Sequence, residues 1–300
     1  MKVVVILNPQ AGTPAGNPDG CVEALKEVFE RNGVQAVIHN VDSAHVPDVV
    51  AQARTEGADA VIVGGGDGTI GSVAAALAGT GIPMGVLPLG TFNHFSKDMG
   101  IPLELEDAIR IIATGATRDV DVGEVNGHIF LNNSSIGAYP AALMDRDRQR
   151  LKTGRRKLTA MVIAVFRVFR RRPLLTVGLT IDGETTVRRT PFVFIGNNAY
   201  HPKITSGSLR ERMDGGELCV ITARSTGLRC LLRMFWAALM RNADRSHNFE
   251  YRAAREVTID LRRKTVRAAR DGEIIVLEAP LLFRMRPKAL RVIVPRQNPP

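Results

Sequence analysis

Residues 60–78 read Ala60-Val61-Ile62-Val63-Gly64-Gly65-Gly66-Asp67-Gly68-Thr69-Ile70-Gly71-Ser72-Val73-Ala74-Ala75-Ala76-Leu77-Ala78. A short apolar run passes into four glycines around one acid, and then into a helical pattern over 70–78. A buried strand that enters a helix through glycines lets backbone N–H groups approach an anion closely, and the helix N-terminus favours negative charge. An acid inside such a loop repels phosphate unless a cation lies between them. Asp67 therefore points to Mg²⁺ held together with a nucleotide. The competing reading is a glycine-rich turn in which Asp67 satisfies backbone donors.

Outward from this stretch, the first 120 residues alternate apolar runs with helical patterns. Strands are expected over 3–7, 34–38, 60–63 and 84–87, and helices over 21–31, 47–55, 70–78 and 105–113. Such alternation predicts a doubly wound α/β domain with a parallel sheet. From residue 120 the pattern changes to extended runs joined by two-residue turns: Asn126-Gly127 between 120–125 and 128–132, Asp182-Gly183 between 175–181 and 185–195, and Asp271-Gly272 between 264–270 and 273–277. An antiparallel β-sandwich domain is expected there, interrupted by helices near 158–169 and 228–241. The domains are 1–122 and 123–300. A last strand over 290–295 is left open as to its domain, with packing on the first one alternative.

Two more loops leave strand ends on the expected ligand side of the sheet. They are Asn8-Pro9-Gln10-Ala11-Gly12 and Pro88-Leu89-Gly90-Thr91-Phe92-Asn93. Each alone could be a plain turn, with Thr91 a helix cap.

Composition narrows the classes. With 45% hydrophobic and 23% charged residues the 300-residue chain is neither disordered nor fibrous, and 5% aromatics with one Trp argue against a stacking platform for single-stranded nucleic acid. Residues 1–120 carry 7 Lys+Arg against 14 Asp+Glu, a net of −7, so the remainder carries 33 against 16, a net of +17. Residues 146–172 hold 11 basic residues and one acid, Asp147. A patch of that density seeks phosphate, on nucleic acid or on an anionic membrane. Cys21, Cys219 and Cys230 show neither a disulfide framework nor zinc spacing, which fits a reducing compartment. No run reaches the ~18 apolar residues of a membrane span, so a soluble or peripheral protein is expected.

The NPxxG of Asn8 to Gly12, the GGGDGT of Gly64 to Thr69, and the PLGTFNHF of Pro88 to Phe95 followed by Gly100-Ile101-Pro102 resemble the diacylglycerol kinase catalytic domain, a family of lipid kinases that includes sphingosine and ceramide kinases. GGDGT is shared with NAD kinases and related phosphofructokinases; the GTFN segment favours lipid kinase. The resemblance implies ATP and Mg²⁺ in a cleft between an α/β domain and a β-sandwich domain, with phosphoryl transfer to a lipid hydroxyl in phospholipid metabolism. It places nucleotide contacts on Asn8, Pro9, Gln10, Ala11, Gly12, Ser43, Gly65, Gly66, Asp67, Gly68, Thr69, Ile70, Gly71 and Thr91. The family's catalytic acid maps to Glu273 of Asp271-Gly272-Glu273, acting as base, with Asp271 helping to orient the site. The same triplet occurs at Asp182-Gly183-Glu184. A structural Mg²⁺ would map to Asp214 with backbone oxygens of Glu211 and Gly216.

The chain departs from the family at His94, where Asp is common, at Gly71, where Asn is common, and at Thr13 to Asn17, where lysines are often found. Neutralising a triphosphate is then left to the metal or to arginines of the other domain. His94 either touches substrate or is a solvated helix-start residue. The partners implied are a lipid substrate and an anionic membrane surface docked by residues 146–172, with no nucleic acid and with a homodimer as one allowed assembly. The location implied is cytoplasmic and peripheral to the membrane. Kinase action on a soluble acceptor such as NAD, and a non-catalytic sensor of the same fold, are the alternatives.

Overall fold

The computed structural model describes residues 1–8, 18–138, 140–141, 174–199, 212–223 and 249–296. The chain divides into two units, Met1–Val122 with Pro287–Pro300, and Gly123–Arg286. The elements run β1 Lys2–Leu7, α1 Pro18–Arg31, β2 Gln35–Asn40, α2 Val46–Thr55, β3 Ala60–Gly65, α3 Asp67–Leu77, β4 Met84–Pro88, α4 His94–Asp98, α5 Leu105–Thr114 and β5 Ala116–Val125. There follow β6 His128–Phe130, β7 Asn133–Gly137, β8 Leu175–Ile181, β9 Glu184–Thr190, β10 Phe192–Asn197, β11 Leu218–Ala223, β12 Phe249–Ala254, β13 Glu256–Leu261, β14 Thr265–Arg270, β15 Glu273–Glu278 and β16 Leu281–Val294.

In the first unit the strands are ordered β2-β1-β3-β4-β16, and the pairs among β1 to β4 are parallel. Every residue of β3 is buried, as expected of a central parallel strand covered on both faces, whereas β2 at the edge alternates. The helix α2 buries Val46, Val49, Val50 and Ala53, a spacing that lays one stripe on the sheet. The final stretch of β16 joins this sheet through Val292 beside Met84.

The second unit packs one inner face from β8, β13 and β16 against another from β7, β10, β11, β14 and β15. Phe130, Ile136, Val177, Ile195, Val220, Ile259, Ala268 and Phe283 form their common core. The second of these sheets is ordered β12-β11-β10-β7-β14-β15, with its pairs antiparallel. This is an α/β domain followed by a β-sandwich.

The three predicted hairpins form, and all use one corner. Asn126 and Gly127, Asp182 and Gly183, and Asp271 and Gly272 all have positive φ, the conformation of a type I′ turn. In each case the first turn residue grips a neighbouring strand. Asn126 takes the Leu282 N–H on its Oδ1 at 2.7 Å, and Asp182 takes the N–H groups of Arg255 and Glu256 at 3.0 Å each. Asp271 takes three amides, those of Leu131, Asn132 and Asn133.

Two expectations change. The run 185–195 is broken at Pro191 into β9 and β10, which lie in different sheets. Proline has no N–H for a ladder, and its carbonyl accepts from the Ala138 N–H at 2.9 Å instead. The last strand is β16, which starts at Leu281 rather than 290. The helices expected over 158–169 and 228–241 lie outside the described residues. Among the described residues no helix is long and apolar enough to cross a membrane.

Candidate active site

In the first unit, register brings the ends of β1, β3 and β4, from which the three loops leave, to one sheet edge. Leu7 pairs with Gly64 and Gly65 with Pro88, so the chains leaving β1, β3 and β4 start side by side. The Asn8 N–H donates to the Gly64 carbonyl at 3.3 Å, and its side-chain amide donates to the Thr69 hydroxyl at 3.0 Å. A Cβ on Gly65 would lie 2.7 Å from the Thr69 Cβ, and one on Gly90 would lie 2.5 Å from the Gly66 Cα. The loops after β3 and β4 thus touch backbone to backbone, a contact only glycines allow.

The helix α3 opens at Asp67 with Gly66 as its N-cap. Its first turn bond runs from the Ile70 N–H to the Gly66 carbonyl at 3.0 Å. The amides of residues 67–69 therefore have no acceptor within the helix and mark the positive end of its dipole. Asp67 is half-buried there, and its Oδ1 accepts the Phe95 N–H at 3.2 Å. Of the two readings of Asp67, the structure shows the one in which the carboxylate satisfies a backbone donor, that of Phe95.

Asn93, absent from the expected site residues, organises the third loop. It is 6% exposed and left-handed, with φ 50° and ψ 47°. Its Oδ1 takes the Gly90 N–H at 3.0 Å, and its Nδ2 donates to the carbonyls of Pro88 at 3.1 Å and Gly90 at 3.0 Å. An Asn at a strand-to-helix junction was the available signal. The adjacent Phe92 and His94 rings stack at 5.6 Å, and Phe92 is 55% exposed.

Other expected nucleotide residues are placed less uniformly. Thr91 is exposed on the same loop, and Gly68 is half-buried in the first turn of α3. Ile70 and Gly71 turn into the core of the unit, so their side-chain positions serve packing. Ser43 is exposed in the turn after β2, where Asp42 takes the N–H groups of Ala44 and His45 at 3.1 and 3.3 Å. The hydrogen bond with His45 holds the Asp42 carboxyl below its ordinary range and raises the imidazole. Pro9, Gln10, Ala11 and Gly12 lie outside the described residues.

In the second unit Asp271 is a clasp. Its Oδ2 accepts the Leu131 N–H at 2.8 Å and its Oδ1 accepts those of Asn132 and Asn133 at 2.7 and 3.0 Å. Its own N–H donates to the Asn133 carbonyl at 2.9 Å. Asp271 thus acts by fixing the corner that carries Glu273. Glu273 opens β15 with its side chain 53% exposed, and its carboxylate lies 3.9 Å from the Arg270 guanidinium. The duplicate triplet ends in Glu184, 81% exposed and 3.7 Å from Arg252.

Of the second metal set, Glu211 lies outside the described residues. Asp214 pairs with the Arg212 Nε at 3.2 Å, and Gly216 has φ 72°. Among the described residues no cluster of three or more His, Cys, Asp or Glu could hold a metal alone. A nucleotide-bound Mg²⁺ needs only one or two carboxylates beside the phosphates, and Asp67 at the mouth of the glycine loop meets that requirement.

Residues 2–125 match the model of the diacylglycerol kinase catalytic domain, and residues 135–294 match that of the YegS C-terminal NAD kinase beta sandwich-like domain. Uncharacterized protein sll0036 of Synechocystis sp. is 30% identical over 98% of this chain and 70% of its own length. A probable lipid kinase YegS-like of Yersinia pestis is 33% identical, but that match spans half of this chain and half of that protein. A putative diacylglycerol kinase from Bacillus anthracis shares the fold, with a TM-score of 0.75 over 98% of both chains at 21% identity. The gripped glycine loops, the sandwich and these matches agree: the chain belongs to the diacylglycerol kinase-like, YegS-like family of lipid kinases.

Proposed function

We propose that the protein transfers the γ-phosphoryl group of ATP to the hydroxyl of diacylglycerol or a related lipid. The observation that carries this reading is the meeting of Asn8 at the end of β1 with the loops after β3 and β4, with Gly66 against Gly90, Asn8 bonded to Thr69, and Asp67 bonded to Phe95. Small residues, orphan helix amides and one carboxylate at a single sheet edge suit a polyphosphate with its cation.

In this reading residues 8–12, 65–69 and Thr91 bind the phosphates, and Ser43 lies at the same sheet edge. Asp67 would hold Mg²⁺, which supplies charge neutralisation to the transferring group. Glu273 accepts the proton of the acceptor hydroxyl as that oxygen bonds to the γ-phosphorus. The bond from phosphorus to the bridging oxygen breaks, and ADP departs with that electron pair. Asp271 holds the hairpin so that Glu273 keeps its place. The basic run 146–172 supports docking to an anionic membrane, which gives access to a lipid acceptor.

The test is transfer of labelled γ-phosphate to a panel of diacylglycerol, sphingosine, ceramide and NAD. Labelled lipid supports the reading. Labelled NAD alone supports the soluble-acceptor alternative, and ATP binding without transfer to any acceptor supports a sensor.

A further inference from the structure

Strand pairing in the second unit sets Glu273 in a row that the family resemblance does not describe. Arg270 pairs with Glu273 across the β14–β15 hairpin and with Ser134 on its other side, in β7. Successive residues of a strand face opposite sides, so the face of each follows from its neighbours. Ala268, Ile136 and Leu277 all lie in the core between the sheets. Arg270, Ser134 and Glu273, displaced from them by two, two and four residues, point to that same inner side, at the end of the strands.

This row is unevenly satisfied. The Arg270 side chain is only 18% exposed, and among the described residues its one side-chain partner is Glu273 at 3.9 Å, beyond hydrogen-bond reach. A guanidinium has five N–H donors in a planar fork. The neighbouring Ser134 is 0% exposed, and among the described residues its hydroxyl has no hydrogen-bond partner. Directly opposed residues of an antiparallel pair hold their Cβ atoms about 5 Å apart, so both groups reach one small volume. A largely buried cation with idle donors beside a buried idle hydroxyl is the arrangement that an oxyanion completes.

We propose that Arg270, assisted by Ser134, forms an anion site for the phosphate ester of the acceptor lipid. The inference rests on Glu273 being the base of the proposed reaction. The oxygen that Glu273 deprotonates is the oxygen that becomes phosphorylated, so the new phosphomonoester forms next to Glu273, and the cation next to Glu273 is Arg270. Once Glu273 has taken the proton it is neutral and no longer balances the guanidinium. Arg270 then turns its fork to the phosphate oxygens. Ser134 adds a donor without charge.

The experiment is calorimetric binding of dihexanoylglycerol 3-phosphate, with dihexanoylglycerol and inorganic phosphate as separate probes, beside steady-state kinetics on dihexanoylglycerol. The wild type is expected to bind the phosphate ester on the order of tenfold or more tighter than the alcohol. Arg270→Gln removes that difference and lowers kcat about 100-fold, with the KM for ATP unchanged. Arg270→Lys restores part of both, because it keeps the charge but not the fork. Ser134→Ala weakens ester binding by a smaller factor. Glu273→Gln keeps phosphate-dependent binding although its turnover is lost. Phosphate-dependent binding abolished by Arg270→Gln in a protein that phosphorylates no lipid supports the anion site while removing the kinase reading. Wild-type ester binding and kcat in Arg270→Gln overturn the proposal, as does an equal loss of ester binding in Glu273→Gln. Inorganic phosphate displacing the ester at similar concentration, with no gain from the glycerol lipid, overturns the assignment to a lipid phosphate.

Discussion

The Phe95 amide donates to the Asp67 carboxylate at 3.2 Å, which ties the start of α4 to the glycine loop after β3. One side chain thereby joins two of the three loops, and it is also the carboxylate proposed to hold the metal. Structural and chemical roles separate by substitution. Asp67→Asn keeps an acceptor for Phe95 and removes the charge; it should retain its urea midpoint and lose ATP turnover by at least about 100-fold. Asp67→Ala should lose turnover equally and also about 1 kcal/mol of stability. Full turnover in Asp67→Asn would remove the metal role.

Asn93 offers a second separation, because its backbone and its side chain do different work. Asn93→Ala keeps the left-handed strain and leaves the Gly90 N–H and Pro88 carbonyl without their bonds, an expected cost of about 2–4 kcal/mol. Asn93→Gly relieves the strain and loses only the bonds, so it should be the milder of the two in urea denaturation. Equal losses would show that the left-handed conformation contributes nothing.

The corner residues predict a ranking. Asp271 holds three amides and Asp182 holds two, the latter on an exposed corner. Asp271→Ala should cost about 2–3 kcal/mol and Asp182→Ala about 1 kcal/mol. Only Asp271→Ala should also lower turnover, since it frees the hairpin that carries Glu273. Equal effects on turnover would deny the two triplets their different roles.

How legible these features were in the sequence depended on whether the signal was local. The parallel strands read directly, because continuous apolar runs such as 60–63 are what a strand covered on both faces requires. The three hairpins read directly too, since Asn-Gly and Asp-Gly favour the positive φ that the corners show. By contrast β7, Asn-Ser-Ser-Ile-Gly, carries no apolar run and is a strand only because β10 and β14 flank it. The row of Ser134, Arg270 and Glu273 depends on that register, so it could not be read along the chain. Asp271 looked like an orienting acid in the motif; its partners, Leu131 to Asn133, are 138 to 140 residues away.

The basic run carries a prediction independent of the fold. Sedimentation with vesicles containing anionic lipid should fall as salt rises, and should fall again when Arg146, Arg148, Arg150, Arg155 and Arg156 are changed to Ala, because the attraction is screened within about 10 Å at 0.1 M ionic strength. Binding insensitive to both would exclude electrostatic docking by this segment.

The proposed reaction assigns metal binding to Asp67 and proton acceptance to Glu273. The direct measurement is labelled-phosphate transfer from ATP to diacylglycerol by the wild type, Asp67→Asn and Glu273→Gln, with ATP binding followed in parallel. Labelled lipid is expected from the wild type, almost none from either variant, and ATP binding should stay intact in Glu273→Gln. Wild-type transfer by Glu273→Gln would contradict it.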